Sequence, residues 1–121
     1  MKQKIFVVDD KITIAKIICA YLSTEYDFEY FDNPMPCLER LKGDDLPNLI
    51  ISDILMPNMR GDIFLDRLKD NPRLKDIPVI MLSSEDSSSE RIRLLQNGAD
   101  DYIVKPFNPL ELKIRIKKII S

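Results

Sequence analysis

The chain has 121 residues, the size of one domain, and can bury about two-thirds of the surface its unfolded form exposes. Hydrophobic residues make up 45% and charged residues 31%, and 18 basic against 20 acidic side chains leave a net charge of −2, which argues against nucleic-acid binding through a concentrated basic face. There is no histidine. That excludes histidine metal ligation, a Ser-His or Cys-His catalytic pair and a histidine proton switch within this chain. Chemistry has to run on carboxylates, hydroxyls, amines and two cysteines.

The chain opens Met-Lys-Gln-Lys and enters the apolar run Ile5–Val8, which stops at Asp9-Asp10 and is too short for a signal-peptide core. This run reads as a first strand. Ile14, Ile17, Ile18, Tyr21 and Leu22 then follow helical spacing and are expected to form the inner stripe of a first helix, with Ile12, Ala15 and Cys19 as surplus apolar surface. Phe28–Phe31 reads as a second strand, nearer a sheet edge because Glu29 interrupts it. A second helix is expected over Met35–Leu41, with Pro34 or Pro36 near its first turn and Gly43 just past its end. Leu49–Ser52 forms a third strand and ends at Asp53. Phe64, Leu65 and Leu68 mark a third helix, and Val79–Leu82 a fourth strand ending in Ser83-Ser84. Ser87–Ser89 reads as a helix start or loop. Ile92 and Leu95 are expected on the inner side of a fourth helix capped at Asn97-Gly98. Tyr102–Val104 is a fifth strand running into Lys105-Pro106, and Asn108-Pro109 opens a last helix with Leu112, Ile116, Ile119 and Ile120 on one stripe.

Strand and helix alternate five times without a repeat or linker, so residues 1–121 read as one α/β domain with a parallel sheet, right-handed crossovers and helices on both faces. The first, third and fourth strands are almost continuously apolar, as strands covered on both faces should be. Cys19 and Cys37 lie in no CxxC pair and read as small buried hydrophobes. No apolar run approaches the roughly 20 residues that span a bilayer. A cytoplasmic, reducing location is the expectation.

In open α/β sheets function gathers at the carboxyl ends of the strands. Those ends carry Asp9-Asp10, Asp53, Ser83-Ser84 and Lys105-Pro106. A single Asp after a strand is commonly only a turn former or helix cap. Three carboxylates converging on one spot, however, repel each other and are expensive without a cation. Oxygen donors without nitrogen or sulfur suit magnesium; calcium fits less well, for no closely spaced acidic loop is present. A carboxylate beside a metal, a lysine and a hydroxyl points to phosphoryl transfer, with the carboxylate able to act as nucleophile.

Val7-Val8-Asp9-Asp10, Ile50-Ile51-Ser52-Asp53-Ile54-Leu55-Met56-Pro57, Gly61, Ser83, Gly98-Ala99 and Tyr102-Ile103-Val104-Lys105-Pro106-Phe107 together resemble the receiver domain of two-component response regulators, a CheY-like family. The resemblance covers essentially the whole chain. It implies a doubly wound, flavodoxin-like (βα)5 fold with strand order 2-1-3-4-5. It implies Asp53 as phosphoacceptor, Asp10 as direct magnesium ligand, Asp9 acting through a metal-bound water, and the Leu55 backbone carbonyl as a further ligand; manganese could replace magnesium. Lys105 resembles the lysine that pairs with the acceptor carboxylate, Ser83 the hydroxyl that moves toward the phosphoryl group, and Tyr102 the aromatic that then turns inward. The Lys105–Pro106 peptide resembles one that is cis in the family, at a cost of only about 0.5–1 kcal/mol. The implied partners are a histidine kinase or phosphotransfer protein as donor, an output domain or effector protein, and a phosphorylation-dependent homodimer; neither nucleic acid nor membrane is a direct partner of this domain.

The function so implied is a phosphorylation-dependent signalling switch, whose face of fourth helix, fifth strand and fifth helix changes shape. It is not an enzyme beyond self-catalysed phosphotransfer and slow autodephosphorylation. Leu94, Leu110 and Ile114 are expected to form an apolar partner patch on that face, and Ile12, Ala15 and Cys19 a kinase-docking surface on the first helix. Leu55 and Glu85 occupy positions that shape water access to the phosphoryl group. A phosphohydrolase using an aspartyl phosphate is disfavoured because Leu55 stands where a second acid is needed. An FMN carrier is disfavoured because Asp-Asp-Lys-Ile replaces a phosphate-cradling loop after the first strand. A phosphate-independent interaction module is the remaining alternative, and the full acidic, hydroxyl and lysine set argues against it.

Overall fold

A computed structural model describes residues 2–84 and 87–120. Five strands, β1 (Gln3–Val8), β2 (Tyr26–Phe31), β3 (Leu49–Asp53), β4 (Val79–Ser83) and β5 (Asp101–Val104), alternate with helices α1 (Ile12–Leu22), α2 (Pro34–Arg40), α3 (Gly61–Asp70), α4 (Ser88–Gln96) and α5 (Pro109–Ile120). The strands form one sheet in the order β2-β1-β3-β4-β5, with every pairing parallel. This is the doubly wound flavodoxin-like order that the resemblance implied.

Side-chain parity divides the core. Ile5, Val7, Leu49, Ile51, Ile80, Leu82 and Ile103 pack on one face with α1 and α5. Phe6, Val8, Ile50, Val79, Met81 and Tyr102 pack on the other with α2, α3 and α4. Successive strand residues point to opposite faces, so a strand covered on both sides must be apolar throughout, as β3 and β4 nearly are. At the β2 edge, Glu29 meets Lys4 at 3.4 Å and Arg40 at 3.0 Å, which keeps a charged side chain on an otherwise pairable edge.

Local chemistry sets the helix ends. Asn33 caps α2 by accepting from the Met35 N–H at 2.9 Å, and Ser87 caps α4 by accepting from Glu90 N–H at 3.3 Å. Asn108 opens α5 by accepting from Leu110 N–H at 2.9 Å. Gly98, at φ 113, lets the chain leave α4 in the left-handed region. Cys37 is a buried hydrophobe whose thiol burial pushes up to about 12.

Two helix faces differ from the sequence reading. In α1 the buried residues are Ala15, Ile18 and Leu22, while Ile17 and Tyr21 are exposed. This helix carries two overlapping apolar stripes, and the one with the small Ala15 fits against the sheet. Ala15 is therefore core and Cys19 half-buried, so neither is the open docking surface expected of it; Ile12 is exposed, together with Ile17 and Tyr21. In α4 the register is inverted. Leu94 is 0% exposed and is core rather than partner surface, whereas Ile92 is 54% exposed and Leu95 also faces outward. Glu90 and Arg91 share the inner stripe with Leu94 at helical spacing, so polar residues occupy the side where apolar ones were sought.

Candidate functional site

The carboxyl ends of β1, β3, β4 and the stretch after β5 converge on one edge of the sheet. Asp9 is 0% exposed and Asp53 5%, while Asp10 is open to solvent. One carboxylate oxygen from each of Asp9, Asp10 and Asp53 lies within 4.8 Å of the others. Lys105 enters between two of them, its ammonium 2.9 Å from Asp9 Oδ2 and 3.3 Å from Asp53 Oδ1. Two buried anions thus share one ammonium, while the exposed Asp10 has only the exposed Lys11 ammonium, at 3.7 Å, among the described residues.

The backbone fixes each group. Asp9 Oδ1 accepts from the Lys11 N–H at 2.9 Å, a turn that starts α1. Asp53 Oδ1 accepts from the Ile54 N–H at 2.8 Å. The segment after β3 folds back so that Gly61 N–H donates to the Ile54 carbonyl at 2.7 Å. Lys105 N–H donates to the Ser83 carbonyl at 2.7 Å, which ties the end of β5 to the end of β4. Ser83 is buried at that end, and the Lys105–Pro106 peptide is cis.

Burial raises the Asp53 carboxyl above its ordinary value, and the Asp9 charge adds to this; the Lys105 ammonium and the Ile54 N–H pull the other way. The balance is a carboxylate short of positive charge. An all-oxygen donor set with excess negative charge, one member exposed to water, fits a hard divalent cation. Asp10 is better placed than Asp9 to take a direct bond, since both Asp9 oxygens are already engaged by Lys11 and Lys105.

Asp9, Asp10, Asp53, Ser83 and Lys105 are brought together as the sequence anticipates. Leu55 follows Ile54 in the loop and its side chain is exposed. Glu85 lies outside the described residues. Tyr102 is buried, in the cluster on the α2, α3 and α4 face. It thus sits beside the end of β4, whose Ser83 is the hydroxyl that the resemblance couples to it. The basic side chains of α5 are more engaged than a solvated face: Lys113 and Lys117 meet Glu25, the latter at 3.1 Å, and Arg115 meets Asp101 at 2.8 Å.

Tyr30, which no motif in the sequence marks, donates its hydroxyl to the Asp9 carbonyl at 2.6 Å. The available signal was positional: a phenol next to last in β2, level with the end of β1.

The family model for the response regulator receiver domain matches residues 5–117. The chain belongs to this family, whose members act in phosphorylation-dependent signalling, with histidine kinases and output domains as their kinds of partner. It is 36% identical over 124 residues to the phosphate regulon transcriptional regulatory protein PhoB of Escherichia coli, covering 99% of this chain and 52% of that protein. It is also 36% identical over 120 residues to histidine kinase P4 of Formosa agariphila, covering 99% of this chain and 9% of that protein. The chain thus spans about half of PhoB and a small part of the kinase. Among solved structures, the chemotaxis response regulator CheY4 of Vibrio cholerae superposes with a TM-score of 0.89 at 28% identity, covering 98% of this chain and 99% of that one. No helix among the described residues is long and apolar enough to cross a membrane.

Proposed function

We propose that residues 1–121 form a receiver domain that takes a phosphoryl group from a phosphohistidine of a histidine kinase or phosphotransfer protein onto Asp53. The observation that carries this reading is the Lys105 ammonium, 2.9 Å from Asp9 and 3.3 Å from Asp53, beside an exposed Asp10. An Asp53 oxygen attacks phosphorus, the P–N bond breaks, and the donor imidazole keeps the electron pair. Asp10, Asp53 and the Leu55 carbonyl, with Asp9 through a water, would hold magnesium or manganese, which would supply charge neutralisation for the transfer.

Lys105 exchanges part of its contact with Asp53 for a phosphoryl oxygen, and Ser83 offers its hydroxyl to another. Both sit at the ends of β4 and β5, so their movement is transmitted to α4, β5 and α5. The space that Ser83 leaves lets the Tyr102 ring turn further inward. Leu110 and Ile114, both exposed on α5, offer that face to an output domain, an effector or a second copy. Ile12 at the start of α1 lies beside the acidic edge and offers contact to the donor protein. The reaction is a single self-catalysed transfer with slow autodephosphorylation, in a cytoplasmic setting, rather than turnover of a separate substrate.

The test is incubation with magnesium and a small acyl phosphate, followed by mass measurement and hydroxylamine treatment. The wild type gains one hydroxylamine-labile phosphoryl group and Asp53→Asn gains none. Equal labelling of both, or of neither, overturns the mechanism; labelling of neither returns the reading to a phosphate-independent interaction module.

A further inference from the structure

The turn at Asp9-Asp10 is held by a side chain that takes no part in the chemistry above. β1 and β2 pair with Val7 opposite Tyr30 and Val8 opposite Phe31, and one further ladder bond joins the Asp9 N–H to the Phe31 carbonyl at 3.0 Å. In a strand, the N–H and C=O of a residue face the same neighbour, so the Asp9 carbonyl also faces β2. There, however, the chain has left the sheet to enter α2, with Asn33 as its cap. Among the described residues no backbone N–H meets the Asp9 carbonyl. The Tyr30 hydroxyl supplies the donor, at 2.6 Å.

The neighbouring Asp10 depends on this bond. The Asp9 carboxylate is gripped at one oxygen by Lys11 N–H and at the other by Lys105, both at 2.9 Å. The Asp10 carboxylate has only the flexible, exposed Lys11 ammonium at 3.7 Å among the described residues. Its direction is therefore set by its backbone. The Asp9 carbonyl oxygen and the Asp10 Cα lie in one rigid peptide plane, so a hydroxyl fixed on that oxygen fixes where Asp10 starts.

We infer that Tyr30 is a positioning residue of the divalent-cation site, aiming the Asp10 carboxylate toward Asp53 through the Asp9–Asp10 peptide. The inference rests on the metal-dependent receiver reading. Groups that orient metal ligands from behind tune affinity strongly, and Tyr30 acts on the peptide that carries the ligand.

The test compares wild type, Tyr30→Phe and Phe28→Leu, all checked for folding by far-UV circular dichroism. Phe28 packs on the same sheet face two residues earlier, so its trimming reports lost packing without loss of the hydroxyl. Manganese binding is measured by electron paramagnetic resonance. Tyr30→Phe is expected to raise the Kd about fivefold to tenfold, with Phe28→Leu within about twofold of wild type. In acyl-phosphate labelling, Tyr30→Phe raises the magnesium concentration for half-maximal rate, while the rate at saturating magnesium returns to the wild-type value. A Tyr30→Phe affinity within about twofold of wild type overturns the inference and leaves the receiver reading intact. Failure of the wild type to bind manganese overturns both. If Tyr30→Phe does not fold, wild-type protein decides by NMR: Tyr30 ring resonances shift on magnesium titration while those of exposed Tyr21 do not, and an unmoved Tyr30 overturns the inference.

Discussion

Gly61 lies against the backbone of Asp53: a β-carbon on Gly61 would fall 2.0 Å from the Asp53 carbonyl oxygen and 2.8 Å from the Ile54 Cα. The first residue of α3 is thus pressed onto the peptide that carries the acceptor. Backbone cannot swing aside as a flexible side chain can. Gly61→Ala is expected to cost about 2–3 kcal/mol in urea denaturation, at the upper end of overpacking penalties, and to slow acyl-phosphate labelling of Asp53. A variant with wild-type stability and labelling rate would show that the contact places no constraint on the acceptor.

The raised proton affinity of Asp53 has a sign that can be measured. A carboxyl that holds its proton more tightly when folded loses stability on ionising, so its contribution falls as pH rises between the unfolded-state value and the raised folded value. Asp53→Asn keeps an oxygen able to accept from Ile54 N–H and removes the charge. Its thermal midpoint is expected to exceed that of wild type at about pH 7.5, with the gap closing below the ordinary carboxylate value of about 3.9. Magnesium should raise the midpoint of the wild type more than that of Asp53→Asn. A variant no more stable than wild type at the higher pH would contradict this electrostatic account.

Lys105 is the ammonium that Asp9 and Asp53 share. Lys105→Met leaves the buried Asp9 carboxylate with the Lys11 N–H alone on one oxygen and nothing described on the other. Removing one partner of a buried pair strands a charge, so a loss of about 3 kcal/mol is expected at neutral pH. Magnesium should restore more stability to Lys105→Met than it adds to the wild type, since the cation offsets the same excess of carboxylate. Chemical denaturation with and without magnesium checks both parts, and a loss under about 1 kcal/mol would place Asp9 in a better-solvated setting than its burial indicates.

The strands and the site edge were legible because each rests on local chemistry. Continuous apolar runs ending in Asp9-Asp10, Asp53, Ser83 and Lys105 mark where buried strands reach water, and the parallel topology then gathers those ends. The helix faces were less legible. In α1, apolar residues cover more than one stripe, so spacing alone could not choose between Ala15 and Ile17 for the core. In α4, Glu90 and Arg91 flank Leu94 on the inner side, which defeats any search for an apolar stripe. Tyr30 was hidden for a different reason. Its role depends on where β2 ends relative to β1, a register that no single segment encodes.

The register of α4, with Leu94 inward and Ile92 outward, decides which substitutions should separate stability from assembly. Leu94 is fully buried, and Leu94→Ala is expected to cost about 2–5 kcal/mol as a cavity in the core. Leu110 and Ile114 are 57% and 58% exposed, four residues apart on α5, with Ile92 and Leu95 exposed on α4. Ile114→Glu should change stability by no more than about 0.5 kcal/mol. If this face joins two copies once Asp53 is phosphorylated, the wild type should enlarge in solution on addition of magnesium and a small acyl phosphate, and Ile114→Glu should stay monomeric while labelling normally. Sedimentation of both proteins, with and without the phosphoryl donor, reads the difference directly. A wild type that labels fully and remains monomeric at high concentration removes the homodimer and assigns the α5 patch to a different partner.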